Sequence, residues 1–212
     1  HKTWARKQEK WMHSDTRVDR ALVVGGGVAG LATAACLGKI GVKVTLITGK
    51  KRERSRTRAD PGVGIWTNGL RCLDNLGVLS GLETQGRYMG EAGYRNPMGE
   101  WLARPSRPLS HPLVDGDGEV AVLFVRESSL LEALRSVLDP STKVVESNVV
   151  DFCIQGQDDT TRQLPVAVEA GTGTGTCGDD TVSAALSDGG HVSAQLLVGA
   201  DGVKSFVRDQ LL

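Results

Sequence analysis

The sequence predicts an α/β fold built around an early β-α-β unit, and three observations carry that expectation. Ala21-Leu22-Val23-Val24 is a short continuous apolar run, as buried parallel strands show. Gly25-Gly26-Gly27-Val28-Ala29-Gly30 follows it directly, and Leu31, Ala34, Ala35 and Leu37 then mark one face of a helix that Gly41 is placed to end. Val42-Lys43-Val44-Thr45-Leu46-Ile47 supplies a second strand.

Residues 1–19 precede this unit as a polar extension of mixed charge, with Trp4 and Trp11 and without the apolar run of a secretory signal. The first residue is His rather than Met, as expected of a processed or partial chain. After the second strand, Gly49 to Asp60 is polar and holds Lys50, Lys51, Arg52, Arg54, Arg56 and Arg58, a solvated basic loop. Asn68 to Leu76 reads as a helix with Leu70, Leu73 and Leu76 on one face and Gly77 as its stop. Tyr88 to Arg104 reads as a hairpin turning at Asn96-Pro97-Met98-Gly99, and Arg104 to Gly118, with Pro105, Pro108 and Pro112, as irregular chain. Val120 to Val125 is an expected strand, and 127–138 a helix burying Leu130, Leu131, Leu134, Val137 and Leu138 before Pro140. Val144 to Cys153 and Val166 to Glu169 are candidate strands, and the repeat of glycine and threonine over 171–180 marks a mobile loop within a flexible 155–181 insertion. Val182 to Leu186 and Val192 to Val198 flank Asp188-Gly189-Gly190 as a hairpin, and a last helix is expected from about Val203.

Composition removes several functional classes. The 25 Lys and Arg balance 25 Asp and Glu, so the chain lacks the basic excess of a dedicated nucleic-acid or anionic-membrane binder. Hydrophobic residues make up 40% of the 212, enough for a folded core in one large or two small domains. The longest apolar runs are far too short to span a bilayer. Cys36, Cys72, Cys153 and Cys177 show no CxxC spacing and the histidines do not cluster, so neither a metal site nor a disulfide framework is expected. Reduced cysteines point to an intracellular reducing compartment, which leaves the cytoplasm and an organelle matrix such as the mitochondrial one both open.

The glycine turn has a direct chemical reading. Gly25 permits the tight bend, Gly27 lets backbone approach a pyrophosphate, and Gly30 lets helix and strand pack closely. The helix start adds unpaired N–H donors and a partial positive charge. The acidic residue that ordinarily grips the ribose at the end of the second strand is replaced by Thr48, whose hydroxyl bonds more weakly than a carboxylate. Lys50, Lys51 and Arg52 nearby would suit a 2′-phosphate.

Four segments in order give the chain a resemblance to the FAD-dependent aromatic hydroxylases, the flavoprotein monooxygenases of the para-hydroxybenzoate hydroxylase type. They are Val23 to Leu31, Gly62 to Gly77 (Gly-Val-Gly-Ile-Trp-Thr-Asn-Gly-Leu), Val125 to Leu134 (Val-Arg-Glu-Ser-Ser-Leu-Leu) and Leu196 to Arg208 (Leu-Leu-Val-Gly-Ala-Asp-Gly-Val). The last resembles that family's Asp-Gly motif and is the most specific. The resemblance implies a Rossmann-like FAD-binding domain over 20–212, with a β-rich partial substrate domain inserted at about 85–120. It implies that Gly25, Gly27 and Gly30 hold the FAD pyrophosphate and that Arg58 lies toward the flavin. It further implies that Arg126 reaches FAD from the start of the 127–138 helix, and that Asp201, followed by Gly202, bonds the ribose–pyrophosphate region. Family members continue with the rest of the substrate domain and a Gly-Asp motif, so this chain is expected to be about the first half of such a protein, inactive alone.

The activity implied is hydroxylation of an aromatic or isoprenoid small molecule, with FAD as cofactor and NADPH or NADH as transient electron donor. The flavin carries the oxygen chemistry, so no catalytic acid or base is assigned. Trp66, Tyr88, Tyr94 and Trp101 are better explained by core and hairpin packing than by an aromatic pocket. Two other functions fit parts of the sequence. One is a catalytically inactive hydroxylase-like assembly subunit, docking on a protein partner through 1–20 or 49–60. The other is an NADP-binding reductase, suggested by Thr48 with Lys50, Lys51 and Arg52.

Overall fold

The computed structural model describes residues 18–49, 60–89, 93–103, 122–154 and 182–211. Residues 1–17 of the extension expected over 1–19, residues 50–59 of the basic loop expected over 49–60, the proline-rich stretch, the strand at 166–169 and the 155–181 insertion lie outside the described residues. In chain order come β1 (Arg20–Val24), α1 (Val28–Lys39), β2 (Lys43–Ile47), β3 (Gly62–Trp66), α2 (Thr67–Leu76) and α3 (Leu79–Gln85). Next are β4 (Arg87–Tyr88), β5 (Tyr94–Arg95), β6 (Trp101–Ala103), β7 (Val122–Arg126) and α4 (Glu127–Ser136). Last are β8 (Lys143–Val145), β9 (Val149–Ile154), β10 (Val182–Leu186), β11 (His191–Ala194), β12 (Leu196–Gly199) and α5 (Phe206–Leu211). The chain divides into two compact units, one drawn from 1–26, 37–50 and 141–212, the other from 27–36 and 51–140.

The first unit holds a four-stranded parallel sheet in the order β12-β1-β2-β8. Every residue of β1 after Arg20 is buried, as the unbroken apolar run predicts. Leu22, Val24 and Ile47 point to one face and join Val149, Phe152, Val182, Ala184 and Ala194 of the antiparallel sheet β11-β10-β9, with Val207 of α5, in one core.

Two expected strands divide here. Val192 to Val198 is not one strand: β11 pairs with β10, whereas β12 leaves for the parallel sheet and pairs with β1. Gln195 is the break. Its side-chain carbonyl accepts the Asp19 and Arg20 amides at 3.2 and 2.8 Å, so it clasps the start of β1 where the chain changes sheets. Val144 to Cys153 likewise divides into β8, parallel to β2, and β9, antiparallel to β10. Ser147 is fully buried between them, its hydroxyl 3.2 Å from that of Ser187. The last helix starts at Phe206 rather than Val203.

In the second unit, α2 ends as the sequence predicts. Gly77 adopts φ 81°, its amide donates to the Asp74 carbonyl, and the Val78 amide reaches the Leu73 carbonyl at 3.0 Å, a Schellman closure. Helix α3, too short to show a clear period, buries Leu79 and Leu82 and packs on α2, α4 and β7. Strand β3, which its glycines disguise, pairs with β7, as does β4. Tyr88 therefore belongs to that sheet, and the hairpin expected over 88–104 is confined to β5 and β6, around a turn in which the Asn96 side chain accepts the Met98 and Glu100 amides. Helix α4 buries Leu130, Leu131 and Leu134 as expected but stops at Ser136, two residues short of the predicted end.

The N-terminus of α4 is capped from far along the chain. Asp60 accepts the Ser128 amide at 3.1 Å and the Ser128 hydroxyl at 2.5 Å, and the Glu127 amide donates to the Pro61 carbonyl at 2.9 Å. A side-chain cap of this kind contributes roughly 0.5–2 kcal/mol. Asp60→Ala is therefore expected to lower the urea midpoint by that amount of stability, and Asp60→Asn, which keeps an acceptor, by less.

Candidate functional site

In the first unit, the glycine bend is built by main chain from both sides. The Gly25 amide donates to the Ile47 carbonyl at 2.8 Å, and the Ala200 amide donates to the Val24 carbonyl at 2.7 Å. Gly25 takes φ +123°, and a Cβ there would stand 2.1 Å from the Ala200 oxygen and 2.9 Å from the Asp201 nitrogen. Only glycine satisfies both the dihedral and that approach. At Gly26 a Cβ would lie 2.7 Å from Cγ2 of Thr48, so the threonine methyl fills the space over the bend. The structure thus brings together Gly25, Thr48 and the Asp201 main chain.

Asp201 turns its carboxylate elsewhere. One oxygen accepts the Ser205 hydroxyl at 2.5 Å, and the other accepts the Phe206 and Val207 amides at 2.7 and 3.2 Å. It caps α5. Burial by itself would raise its pKa; the Ser205 hydroxyl and the backbone amides of Val207, Asp201 and Phe206 outweigh that and hold it below the ordinary carboxylate range. Gly202 follows with φ +86°, exposed, turning the chain into the helix.

In the second unit, Gly27 is exposed, and a Cβ there would meet nothing within 4 Å. Its carbonyl accepts the Leu31 amide at 3.0 Å, the first bond of α1, so the amides of Val28, Ala29 and Gly30 precede any intrahelical acceptor. The first turn carries no acidic side chain to neutralise them, and Gly30 is buried. Arg126 ends β7 as the N-cap residue of α4, exposed and with no side-chain bond to the helix. Asp60, which holds the start of that helix, gave no local signal because its partner is 68 residues away. Arg58 lies outside the described residues.

The aromatic residues are accounted for separately. Tyr88 donates its hydroxyl to Glu83 at 2.5 Å, and burial followed by the glutamate's hydrogen bond and charge pushes its pKa up. The Arg95 guanidinium stacks on Trp101, 3.9 Å from the ring centroid, while Trp66 and Tyr94 are exposed. Among the described residues, no cluster of His, Cys, Asp and Glu could hold a metal, and no helix is long and apolar enough to cross a membrane.

Residues 18–212 match the FAD binding domain family. The chain belongs to that family. Among curated relatives of this FAD binding domain, the FAD-dependent monooxygenase dpchE of Colletotrichum higginsianum is 30% identical over 192 residues, 91% of this chain and 36% of that protein. Monooxygenase 1 of Arabidopsis thaliana is 28% identical over 190 residues, 90% of this chain and 40% of that protein. The chain thus spans about two fifths or less of these relatives, in keeping with the partial coverage the aromatic-hydroxylase resemblance implies. Among solved structures, p-nitrophenol 4-monooxygenase from Pseudomonas putida shares the fold at a TM-score of 0.65 and 22% identity, over 92% of this chain and 43% of that one.

The contrast between the glycines makes a stability prediction. Gly25→Ala is expected to lose at least about 2 kcal/mol through its dihedral and its clash, whereas Gly27→Ala stays within about 0.5 kcal/mol of wild type in the same denaturation assay. Asp201 adds a pH dependence. Its carboxyl titrates lower in the folded protein than in the unfolded chain, so its contribution is fully present above the unfolded pKa and is lost as pH falls through the folded one. The stability advantage of wild type over Asp201→Asn should accordingly be constant near neutrality and shrink in acid.

Proposed function

We propose that this FAD binding domain serves an NADPH- or NADH-dependent flavin monooxygenase that hydroxylates an aromatic or isoprenoid small molecule. One observation carries the reading. Internal packing requires glycine at 25 and disfavours a side chain at 26, but nothing in the described chain requires it at 27, where the space beside the backbone is open. A ligand pressed against the main chain explains that third glycine, and the free amides of the α1 first turn give it an anionic group to bind.

The residues present fit FAD. Gly25, Gly27 and Gly30 would hold the pyrophosphate through main-chain amides, and the Thr48 hydroxyl would meet the ribose. Asp201 and Gly202 would contribute main chain, since the Asp201 carboxylate is engaged in α5. Arg126 and Arg58 would supply guanidinium donors to phosphate or ribose oxygens. Bound FAD supplies the electron transfer from nicotinamide and the activation of O₂; the protein's part is to bind it, orient it and exclude water. The relatives' names support this chemistry, since several are FAD-dependent monooxygenases and one is an oxygenase of 2-methyl-3-hydroxypyridine-5-carboxylic acid, a heteroaromatic acid. A reducing intracellular compartment suits the exposed thiols of Cys36 and Cys72.

The purified full-length protein, incubated with FAD and passed through gel filtration, is expected to keep visible flavin absorbance that NADPH or NADH bleaches without oxygen. Gly27→Val should fold and elute colourless. A colourless wild-type protein would overturn the reading; tight NADPH binding without FAD would favour a reductase, and binding of neither an assembly subunit.

A further inference from the structure

We propose that Glu146 supplies the carboxylate for the adenosine ribose, from the strand beside the one that ordinarily carries it. The inference rests on the FAD reading above. In a β-α-β dinucleotide site a carboxylate at the end of the second strand accepts from the ribose hydroxyls. Here that end is Thr48, whose methyl is packed over Gly26.

The parallel ladder identifies what stands beside it. Ile47 is in register with Val145, and the Thr48 amide donates to the Val145 carbonyl at 2.9 Å, which carries the pairing one residue beyond both strands. The lateral neighbour of Thr48 is then Glu146, at the strand spacing of roughly 4.8 Å. Alternation fixes the face. Ile47 and Val145 point into the core shared with Phe152 and Val182, so Thr48 and Glu146 both fall on the opposite face. Glu146 is exposed, and among the described residues no hydrogen bond or ion pair engages its carboxylate. An unengaged acid therefore stands one strand over from the place where the acid is missing.

Its charge also selects. A carboxylate there accepts from the 2′- and 3′-hydroxyls and repels a 2′-phosphate, so it favours the adenosine of FAD over that of NADP despite Lys50, Lys51 and Arg52 nearby in sequence. The test is competition against FAD by ADP and by 2′-deoxy-ADP, for wild type, Glu146→Gln and Glu146→Asp, with melting of each FAD-free protein in parallel. Glu146→Gln should melt as wild type does, bind FAD about tenfold more weakly, and lose a similar factor of the wild type's preference for ADP over 2′-deoxy-ADP, with Glu146→Asp recovering part of both. If Glu146→Gln binds FAD as tightly as wild type, or weakens it while keeping the ribose preference, the proposal is overturned and the FAD reading stands. If wild type binds no FAD, both fall.

Discussion

At Gly25 the chain bends with φ +123° directly against the Ala200 carbonyl, leaving no room for a side chain. Residues 175 positions apart are thereby held in main-chain contact, and much of the first unit follows from that contact. The Ala200 amide bonds the Val24 carbonyl just beyond the top of β12, while Gln195 clasps the Asp19 and Arg20 amides at its foot. Strand β1 is thus fixed at both ends by the same short segment. That segment enters the parallel sheet from an antiparallel hairpin and leaves it through the Asp201 turn into α5.

The constraint also assigns different tasks to atoms of one residue. The Asp201 nitrogen lies against the bend, while its carboxylate holds Ser205, Phe206 and Val207. A sequence motif that resembles a cofactor signature is therefore, in its side chain, a helix cap that fixes where the backbone runs. The reverse holds at the end of β2. Thr48, at the place where a ribose-binding acid is expected, uses its methyl to pack over Gly26.

The sequence announced elements whose signals are local. The apolar run of β1, the helix after the glycine bend, and the Gly77 stop of α2 follow from periodicity and backbone chemistry within a few residues. What it concealed depended on distant partners. Leu196-Leu197-Val198 reads as a continuation of Val192 to Ala194, and only pairing with β1 separates the two. Strand β3 carries Gly62 and Gly64, which depress strand propensity, and is held by β7 some sixty residues on. Among candidate site residues, the tight bend at Gly25 was legible from the glycine run, while the capping role of Asp60 and the position of Glu146 beside Thr48 were not, because each depends on a neighbour that only the fold supplies.

On the FAD reading, Gly27 is glycine for the sake of a nucleotide rather than for the fold. The most direct measurement is a crystal structure of the protein grown with ADP. The diphosphate oxygens are expected to accept hydrogen bonds from main-chain amides at Gly27 and the first turn of α1. Diphosphate bound elsewhere, with those amides left to solvent at saturating ADP, would contradict it.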